Sequence, residues 1–410
     1  MCMFGIKKTA IVTDEKKIDE VLTRGIENVF PNKEFLKSRL IKGEQMTFYY
    51  GIDPTGPTIH LGHAIPIKKL GELQKLGHQI IFLIGDFTAM IGDPTDKTAA
   101  RKKLTRKQVL LNCEKYKEQA SKFISFSGSN KALIKYNSEW LGKMDFAEVL
   151  ELASNFTVDQ MLKRDMFARR AEEGKPIYLH EFMYPLMQGY DSVAMDVDGE
   201  IGGNDQTFNM LAGRDLMKTL KNKEKFVIAV KLLTDSDGKK MGKTEGNMVS
   251  LDQTPEDMFG KIMSWSDGLI IPGFEIITDI PMSEIESIKA TLSSGANPKE
   301  YKIKLAKEIV TMIHGSDAAE KALQVFENTF KKGEVPEDIM EISAQHGSSI
   351  RDLLVQSKLI SSNSDWRRLV EGNGVSVVGT EEIITDQFIK AEKDMVLRIG
   401  KKRFVKVVVR

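Results

Sequence analysis

The 410-residue sequence lacks the features that mark exported or membrane-embedded proteins. Its two cysteines, Cys2 and Cys113, are too few for a disulfide framework or a zinc knuckle, which favours a reducing compartment. The first residues contain neither the apolar core nor the cleavage site of a signal peptide. The longest apolar runs, such as IIFLIGDF, are far shorter than the roughly 20 residues that cross a bilayer. We therefore expect a cytoplasmic protein with no membrane partner.

The sequence also has little net charge, at +1 for the whole chain. A nucleic-acid partner would therefore have to bind a local basic patch. Residues 348–410 supply one, with twelve lysines and arginines against eight acidic residues. A hydrophobic content of 41% is too high for a disordered chain, and the length predicts two or three domains.

Three regions follow from the hydrophobic patterning. Residues 1–246 alternate short apolar runs with amphipathic patterns, one of them at 111–126, and this predicts an α/β domain with a parallel sheet flanked by helices. Residues 247–332 predict an α-helical domain, with Thr254 and Asn297 as N-caps. The polar stretch 331–349 predicts a linker, and 348–410 predict a small α/β module.

The first candidate phosphate site follows the apolar run at Thr47–Tyr50. A turn-rich segment leads from Gly51 into a helix that begins near His60, and ligands of open parallel sheets bind at such helix N-termini. His60 and His63 are one helical turn apart, and Gly62 permits close approach of a phosphate or adenine. Taken alone, the pattern is more typical of a helix start with solvent-facing histidines.

A second candidate is the lysine-rich loop DSDGKKMGKTEGN. Lys239, Lys240 and Lys243 lie among glycines, which suits closure over a triphosphate and neutralisation of departing pyrophosphate. A solvated surface turn is the alternative. The sequence has no GxxxxGK[ST] loop, so ATP would have to be held by these two segments.

A third constellation combines polar side chains at helical spacing with a glycine pair. Tyr184, Gln188 and Asp191 share one face of a predicted helix, which indicates either a polar pocket or a buried polar cluster satisfied internally. In the following Gly-Gly-Asn-Asp-Gln segment, Gly203 permits close backbone approach and Asp205 could accept from ribose hydroxyls.

The order of these segments resembles a known family. HLGH and KMGKT are similar to the HIGH and KMSKS signatures of class I aminoacyl-tRNA synthetases, with Leu61, Gly242 and Thr244 as departures. The Tyr-x-x-x-Gln-x-x-Asp and Gly-Gly-x-Asp-Gln segments, with YYGIDPT and IGDPT upstream, resemble the bacterial tyrosyl-tRNA synthetases. The resemblance covers nearly the whole chain and implies a Rossmann-like catalytic domain.

The resemblance implies a role for each matched residue. Tyr49 and Asp191 would bind the substrate phenol, whereas Tyr50 points to the opposite face of its strand. The ammonium and carboxylate groups of tyrosine would be held by Asp93, Tyr184, Gln188 and Gln206. The nucleotide and its phosphates would be held by Gly51, Asp53, Thr55, His60, Gly62, His63, Gly203, Asp205, Lys240 and Lys243. Lys97 and Arg101 would contact pyrophosphate or the tRNA end.

The implied reaction joins L-tyrosine and ATP into an adenylate and transfers tyrosine to the 3′ end of tRNA(Tyr). ATP is a substrate and carries its own Mg²⁺, so no protein metal site is expected. The family also implies a homodimer. Residues 348–410 resemble an S-four RNA-binding module, with Ser364, Arg367 and Arg368 facing RNA, and the helical region would approach the anticodon stem.

Three other readings remain open at this point. A tryptophanyl-tRNA synthetase shares the phosphate motifs, although Tyr49 paired with Asp191 is hard to explain around an indole. A non-catalytic, synthetase-derived RNA-binding protein would not need His60, His63, Lys240 or Lys243. A small ATP-dependent ligase of the same superfamily would not need an RNA-binding tail.

Overall fold

A computed structural model describes residues 10–93, 104–234, 248–331, 339–357, 359–378, 382–400 and 403–409. The chain forms two compact units, Met1–Ala319 and Glu320–Arg410. The finer division into three domains stays a prediction.

The first unit is built on a six-stranded sheet with the strand order β1-β6-β5-β2-β3-β4. Its strands are β1 (Ile26–Phe30), β2 (Thr47–Ile52), β3 (Gln79–Ile84), β4 (Leu133–Tyr136), β5 (Gly199–Gly203) and β6 (Phe226–Val230). Strands β2 to β6 are parallel, and the edge strand β1 pairs antiparallel with β6. The apolar runs of β3 and β6 are almost completely buried because helices cover both faces of the sheet. The predicted α/β class is confirmed.

Helices surround this sheet and then continue alone. The helices between the strands are α1 (Glu15–Thr23), α2 (Lys33–Ile41), α3 (Leu61–Lys75), α4 (Thr88–Ile91), α5 (Arg106–Cys113), α6 (Tyr116–Ala120), α7 (Ser138–Leu141), α8 (Phe146–Ala153), α9 (Val158–Leu162), α10 (Asp165–Glu172), α11 (Leu179–Met195) and α12 (Thr207–Lys221). After the sheet come α13 (Pro255–Met263), α14 (Ile270–Ile277), α15 (Met282–Ser293), α16 (Pro298–His314) and α17 (Ser316–Lys331). Short 3₁₀ turns occur at Asn204–Gln206 and Asp267–Leu269.

The predicted helix at 111–126 is wrong in its continuity. It is divided into α5 and α6, which are separated at residues 114–115. The break turns two buried side chains of α6 toward the loop before α3. Tyr116 donates to the carbonyl of Gly56 at 2.7 Å, and the side chain of Gln119 accepts from the backbone N–H of Ile59 at 2.7 Å. These bonds hold the loop that leads into the HLGH segment in place.

The predicted helix starts after residue 250 are confirmed. The side chain of Thr254 accepts from the backbone N–H of Asp257, and Pro255 occupies the first helical position. Asn297 likewise caps α16 through Lys299.

The second unit contains a four-stranded sheet of order β7-β12-β11-β9 and a separate two-stranded pair. Its elements are β7 (Met340–Ala344), β8 (Ser348–Ser349), α18 (Ile350–Gln356), α19 (Asn363–Glu371), β9 (Val375–Val377), β10 (Lys390–Ala391), β11 (Met395–Ile399) and β12 (Arg403–Val409). Trp366 is buried in its core. The predicted linker is wrong at Met340–Ala344, which pairs parallel with the apolar strand β12. The five residues of β7, MEISA, alternate apolar and polar side chains, but this short run lies between polar segments that favour a linker.

Candidate active site

The carboxyl ends of the parallel strands meet at one edge of the main sheet. Asp53 follows β2, Thr88 begins α4 after β3, Asn137 follows β4, and the 3₁₀ turn Asn204–Gln206 follows β5. Ligands of open α/β sheets bind at this edge. The predicted contacts Asp53 and Asp205 therefore lie at the same edge as Thr88 and Asn137, which were not predicted, because separate strands end there.

A continuous hydrogen-bond network crosses this edge. The Tyr184 hydroxyl donates to Asp53 Oδ2 at 2.9 Å, and Thr88 Oγ1 donates to Asp53 Oδ1 at 2.7 Å. Asn137 Nδ2 contacts both Thr88 Oγ1, at 3.0 Å, and Asp191 Oδ2, at 3.3 Å. The network connects two predicted substrate contacts, Asp191 and Tyr184, to the predicted nucleotide contact Asp53.

Gly85 gives Asp53 the space it occupies. A Cβ atom at this position would lie 2.1 Å from Asp53 Oδ1 and 2.5 Å from Thr88 Oγ1. Real Cβ atoms do not approach other atoms so closely, so a larger residue would displace the carboxylate. The turn after β3 thus shapes the site without presenting a side chain.

Asp191 is a buried carboxyl group on α11, with 3% of its surface exposed. Its Oδ1 accepts from Trp140 Nε1 at 2.7 Å. Burial raises the pKa of Asp191 well above its usual range, while the bonds from Trp140 and Asn137 oppose that shift. Each carboxyl oxygen has two lone pairs, so the group can still accept a bond from a ligand hydroxyl.

Tyr49 lies on the α11 side of the sheet and is completely buried. Its hydroxyl is 2.9 Å from Ser192 Oγ, the neighbour of Asp191. Burial raises the pKa of Tyr49, and the negative charges of Glu200 and Asp191 add to the rise. Tyr50 points the other way and packs against Phe82, with ring centroids 6.4 Å apart. The predicted opposite orientation of the two tyrosines is confirmed.

A second cluster of polar side chains surrounds Asp93. Gln206 Nε2 donates to Asp93 Oδ2 at 2.8 Å, and Asn209 Nδ2 orients Gln206 through its Oε1 at 2.9 Å. The buried guanidinium of Arg164 is 3.6 Å from Asp93 Oδ1. Gln188 is directed instead to Glu200, to which its Nε2 donates at 3.0 Å.

His60 and His63 stand together at the start of α3, where His60 is the N-cap. Their rings are stacked with centroids 3.7 Å apart. A Cβ at Gly62 would lie 3.0 Å from the His60 ring, so glycine suits this turn. The chain that follows the lysine-rich loop runs beside the histidines, because the backbone N–H of Leu61 donates to Val249 at 2.9 Å. Lys240 and Lys243 lie outside the described residues, as do Lys97 and Arg101.

The remaining predicted nucleotide contacts lie on the same edge. Thr55 is exposed, and its backbone N–H donates to the carbonyl of Asp53 at 2.8 Å. Gly51 is the exposed penultimate residue of β2. A Cβ at Gly203 would lie 2.5 Å from Asp205 Oδ1, so glycine lets this carboxylate fold back over the end of β5.

Several site residues carry no signal in the sequence. They are Gly85, Thr88, Asn137, Trp140, Arg164, Glu200 and Lys225. The side chains of Asn137 and Trp140 reach Asp191 across more than 50 positions of sequence, and only the sheet register brings them together. Within the described ranges, no cluster of three or more His, Cys, Asp or Glu side chains could hold a metal ion. None of the described helices is both long and apolar enough to span a membrane.

Comparison with known proteins gives a consistent result. Residues 42–331 match the family of class I tRNA synthetases (W and Y). Tyrosine–tRNA ligase 2 of Vibrio cholerae is 43% identical over 390 residues, which cover 95% of this chain and 98% of the relative. Tyrosine–tRNA ligase of Moorella thermoacetica is 40% identical over 94% of both chains.

Solved structures share the fold. A C-terminally truncated mitochondrial tyrosyl-tRNA synthetase of Coccidioides posadasii superposes with a TM-score of 0.62 at 25% identity, and covers 75% of this chain and 91% of its own. The tyrosyl-tRNA synthetase of Archaeoglobus fulgidus complexed with L-tyrosine has a TM-score of 0.60 at 23% identity, and covers 76% of this chain and 100% of its own.

Proposed function

The chain belongs to the class I tRNA synthetases of the tryptophan and tyrosine type, and from that premise we propose that it is a tyrosine–tRNA ligase. It activates L-tyrosine with ATP and transfers the amino acid to tRNA. Relatives named tyrosine–tRNA ligase, 40–43% identical over about 95% of the chain, support the assignment. The observation that carries the choice of tyrosine is the buried Asp191 carboxyl group on α11.

Asp191 accepts a hydrogen bond from the substrate phenol, and Tyr49 completes that end of the pocket. Trp140 and Asn137 hold the carboxyl group in place. When phenylalanine enters, the buried carboxyl group loses a partner, and such losses are costly in a dry site. An indole N–H could also donate to this group, so the relatives named tyrosine–tRNA ligase, and not Asp191 alone, argue against tryptophan as the substrate.

The ammonium and carboxylate groups of the substrate bind nearer the N-terminal end of α11 than the phenol does. Asp93, Tyr184 and Gln188 hold the ammonium group, and Gln206 lies near the carboxylate. Two observations support this grouping: Gln206 donates to Asp93, and burial raises the pKa of Tyr184, with the negative charges of Asp53 and Asp93 adding to the rise.

The nucleotide lies along the N-terminus of α3. His60, His63 and Thr55 contact its phosphates, while Gly203 and Asp205 hold the ribose. Gly51, Asp53 and Gly62 line the remaining nucleotide surface. Lys240 and Lys243 neutralise pyrophosphate, with Lys97 and Arg101 as further contacts to pyrophosphate or to the tRNA end. The Mg²⁺ ion enters on ATP as part of the substrate.

In the chemical step, the tyrosine carboxylate attacks the α-phosphorus and the bond to pyrophosphate breaks. A carboxylate is already a competent nucleophile, so no general base is needed. Catalysis comes from positioning and from stabilisation of charge on the phosphoryl oxygens. The terminal ribose hydroxyl of tRNA(Tyr) then attacks the adenylate carbonyl and releases AMP.

We assign 247–332 to the anticodon stem and 348–410 to an S-four-type RNA-binding module. In the second unit, the exposed Arg367 and Arg368 lie in the second half of α19, where Arg367 pairs with Glu371 and Arg368 with Asp365. The adjacent Ser364 belongs to the first turn of the same helix. Exposed arginines are typical phosphate contacts, which position RNA without reading its sequence.

The active molecule is a cytoplasmic homodimer. Large apolar side chains are exposed on α8 and α9, with Phe146 at 76%, Leu150 at 55% and Val158 at 65% exposure. Both helices pack their inner faces into a core cluster shared with α11. An outward apolar face of this kind is typical of a protein interface, and a second copy of the chain would cover it.

The test is amino-acid-dependent exchange of pyrophosphate into ATP, with tyrosine, phenylalanine and tryptophan in parallel. We expect exchange with tyrosine alone. Exchange with tryptophan would make the chain a tryptophanyl-tRNA synthetase, and tRNA binding without any exchange would make it a non-catalytic RNA-binding protein. Lys240→Ala and Lys243→Ala should slow activation and leave tyrosine affinity nearly unchanged.

A further inference from the structure

A buried ion pair lies beneath α11 and has no part in the reaction described above. Glu200 on β5 is 2% exposed and Lys225, just before β6, is 0% exposed. Lys225 Nζ donates to Glu200 Oε2 and, at 3.1 Å, to the carbonyl of Met210. Burying two charges is costly even when they are paired, so replacing a buried ion pair by apolar residues often leaves a protein equally stable. The pair therefore calls for a functional explanation.

The sheet register places this pair beside the tyrosine pocket. Glu200 lies opposite Tyr49 on β2 and Val227 on β6. Lys225 precedes Val227 by two residues and therefore points to the same face. Its Nζ is 5.7 Å from the centroid of the Tyr49 ring. Gly213 on α12 makes room for the ammonium group, because a Cβ there would lie 2.6 Å from Nζ.

Glu200 also determines how Gln188 is oriented. Gln188 Nε2 donates to Glu200 Oε1 at 3.0 Å. An ionised carboxylate can only accept hydrogen bonds, so the amide must turn its NH₂ group toward it. The carbonyl Oε1 of Gln188 then points away from Glu200.

We propose that Lys225 and Glu200 are positioning residues that hold Gln188 with its carbonyl oxygen toward the ammonium group of the amino-acid substrate. Lys225 holds the Glu200 carboxylate in place through its hydrogen bond, and Glu200 fixes the amide. The inference rests on the proposed function, in which Gln188 contacts that ammonium group. Tyrosine without its amino group should therefore be insensitive to the ion pair.

The experiment compares two ligands on the full chain by titration calorimetry. The ligands are L-tyrosine and 3-(4-hydroxyphenyl)propionate, which lacks only the amino group. The readout is the ratio of the dissociation constant of the propionate to that of tyrosine. Lys225→Met should lower this ratio about tenfold, the loss expected for a hydrogen bond to a charged group. A role in folding alone would weaken both ligands equally, and an unchanged ratio overturns the proposal.

Two further variants test the route through Gln188. Gln188→Leu should lower the ratio by itself, and adding Lys225→Met to it should lower the ratio no further, because both changes remove the same contact. Additive effects would overturn the proposal. Lys223→Met is the matched control, since this lysine pairs with Asp196 and Asp198 instead, and it should leave the ratio at the wild-type value.

A neutral variant covers the case in which Lys225→Met does not fold. Glu200→Gln combined with Lys225→Met removes both charges, and a carboxamide at position 200 can donate as well as accept, so the ratio should again fall. If the wild-type chain shows no tyrosine-dependent pyrophosphate exchange, the proposed function fails. If exchange is normal and no variant changes the ratio, only this inference fails.

Discussion

At the scale of single residues, the proposed tyrosine pocket depends on carboxyl groups whose partners come from distant parts of the chain. Asp191 and Asp53 are joined through Asn137 and Thr88. Such a network fixes each oxygen in one direction, so a ligand hydroxyl meets an acceptor that is already oriented. The energetic benefit is that little reorganisation is required when the substrate binds.

Asp191→Asn should reduce discrimination between tyrosine and phenylalanine. The amide replaces one acceptor oxygen by a donor, which faces Trp140 or Asn137 in place of an acceptor. Loss of one hydrogen bond to the phenol costs about 2 kcal/mol, or roughly 30-fold in kcat/KM for tyrosine-dependent exchange. Phenylalanine should change little. Asp196→Asn, at the exposed C-cap of α11, is the control, and equal losses for both substrates would contradict the assignment.

His78 should make stability depend on pH. It is fully buried, and burial lowers its pKa from 6.5 to about 4. The unfolded chain therefore takes up a proton near pH 6.5 while the folded chain remains neutral. The contribution of neutral His78 to the free energy of unfolding is fully present above pH 6.5. It falls as the pH drops toward 4, by about 2 kcal/mol at pH 5.

Urea unfolding between pH 7.5 and 5 measures this loss. His78→Asn keeps an acceptor near the backbone N–H of Met46, to which His78 Nδ1 is bonded, and removes the titration. The variant should lose correspondingly less stability over the same range. If the free energy of unfolding changed with pH identically in the two proteins, His78 would not be the source of the loss.

At the scale of secondary structure, prediction succeeded where a strand is apolar throughout and failed where it is not. The strands β2, β3 and β6 are apolar runs with sharp ends, and each was predicted. The half-exposed β1, the short β4 and the glycine-rich β5 were not, because they become strands only by pairing with neighbours already in the sheet. The sheet class followed from the sequence, but its strand order did not.

The candidate site divides in the same way. Residues in local patterns, such as His60 with His63 or Tyr184 with Asp191, were predicted because helical spacing places them on one face. Trp140 and Lys225 were missed because their partners are reached through the strand register. A lysine next to an apolar strand is usually a solvated flank, and Lys225 shows no local sign of being buried.

Gly85→Ala should impair catalysis through the turn between β3 and α4. The new Cβ would collide with Asp53 Oδ1, so the carboxylate must move away from Tyr184 and Thr88. We expect tyrosine-dependent exchange to fall by about 100-fold, since small displacements of positioning groups have effects of that order. Circular dichroism should still show a folded chain.

Gly260→Ala is the matched control for this substitution. Gly260 lies inside α13, and an added Cβ meets no atom within 4 Å. Alanine should stabilise the helix by about 0.5–1 kcal/mol and leave exchange unchanged. If Gly85→Ala were as active as Gly260→Ala, the proposed role of Asp53 would be wrong.

At the scale of the whole molecule, every proposed contact with tyrosine and ATP lies in the first compact unit, whereas the second carries the exposed arginines of α19. Substitutions in the second unit should therefore leave activation unchanged, which allows its proposed role in tRNA binding to be tested in the full-length chain.

Arg367→Ala combined with Arg368→Ala should affect aminoacylation only. Both side chains are exposed, so their removal should leave the fold and pyrophosphate exchange intact. If each contacts a phosphate, tRNA affinity should fall and the slope of its logarithm against log salt should decrease by about 2. Arg351→Ala, which removes an arginine paired with Asp352 on α18, is the control. If the double variant kept the wild-type dependence of tRNA affinity on salt, the RNA would have to bind a different surface.

The apolar face of α8 predicts the assembly state. Phe146 and Leu150 are one helical turn apart and exposed, so they present a continuous apolar surface. Phe146→Asp combined with Leu150→Asp should weaken dimerisation at least about 100-fold, because a buried interface tolerates unpaired charges poorly. Light scattering should show the wild-type chain at twice the 46.1 kDa monomer mass and the variant at the monomer mass.

The exposed Phe388 of the second unit provides the control for this last prediction. Phe388→Asp makes the same chemical change outside the α8 face and should remain dimeric. If the double variant also remained dimeric, the interface would lie on another surface. If the wild-type chain were monomeric at micromolar concentration, the apolar face would require a different partner. Loss of exchange activity together with dissociation would further indicate that the α8 and α9 helices, which share a core cluster with α11, need the second copy to hold the tyrosine pocket in its working geometry.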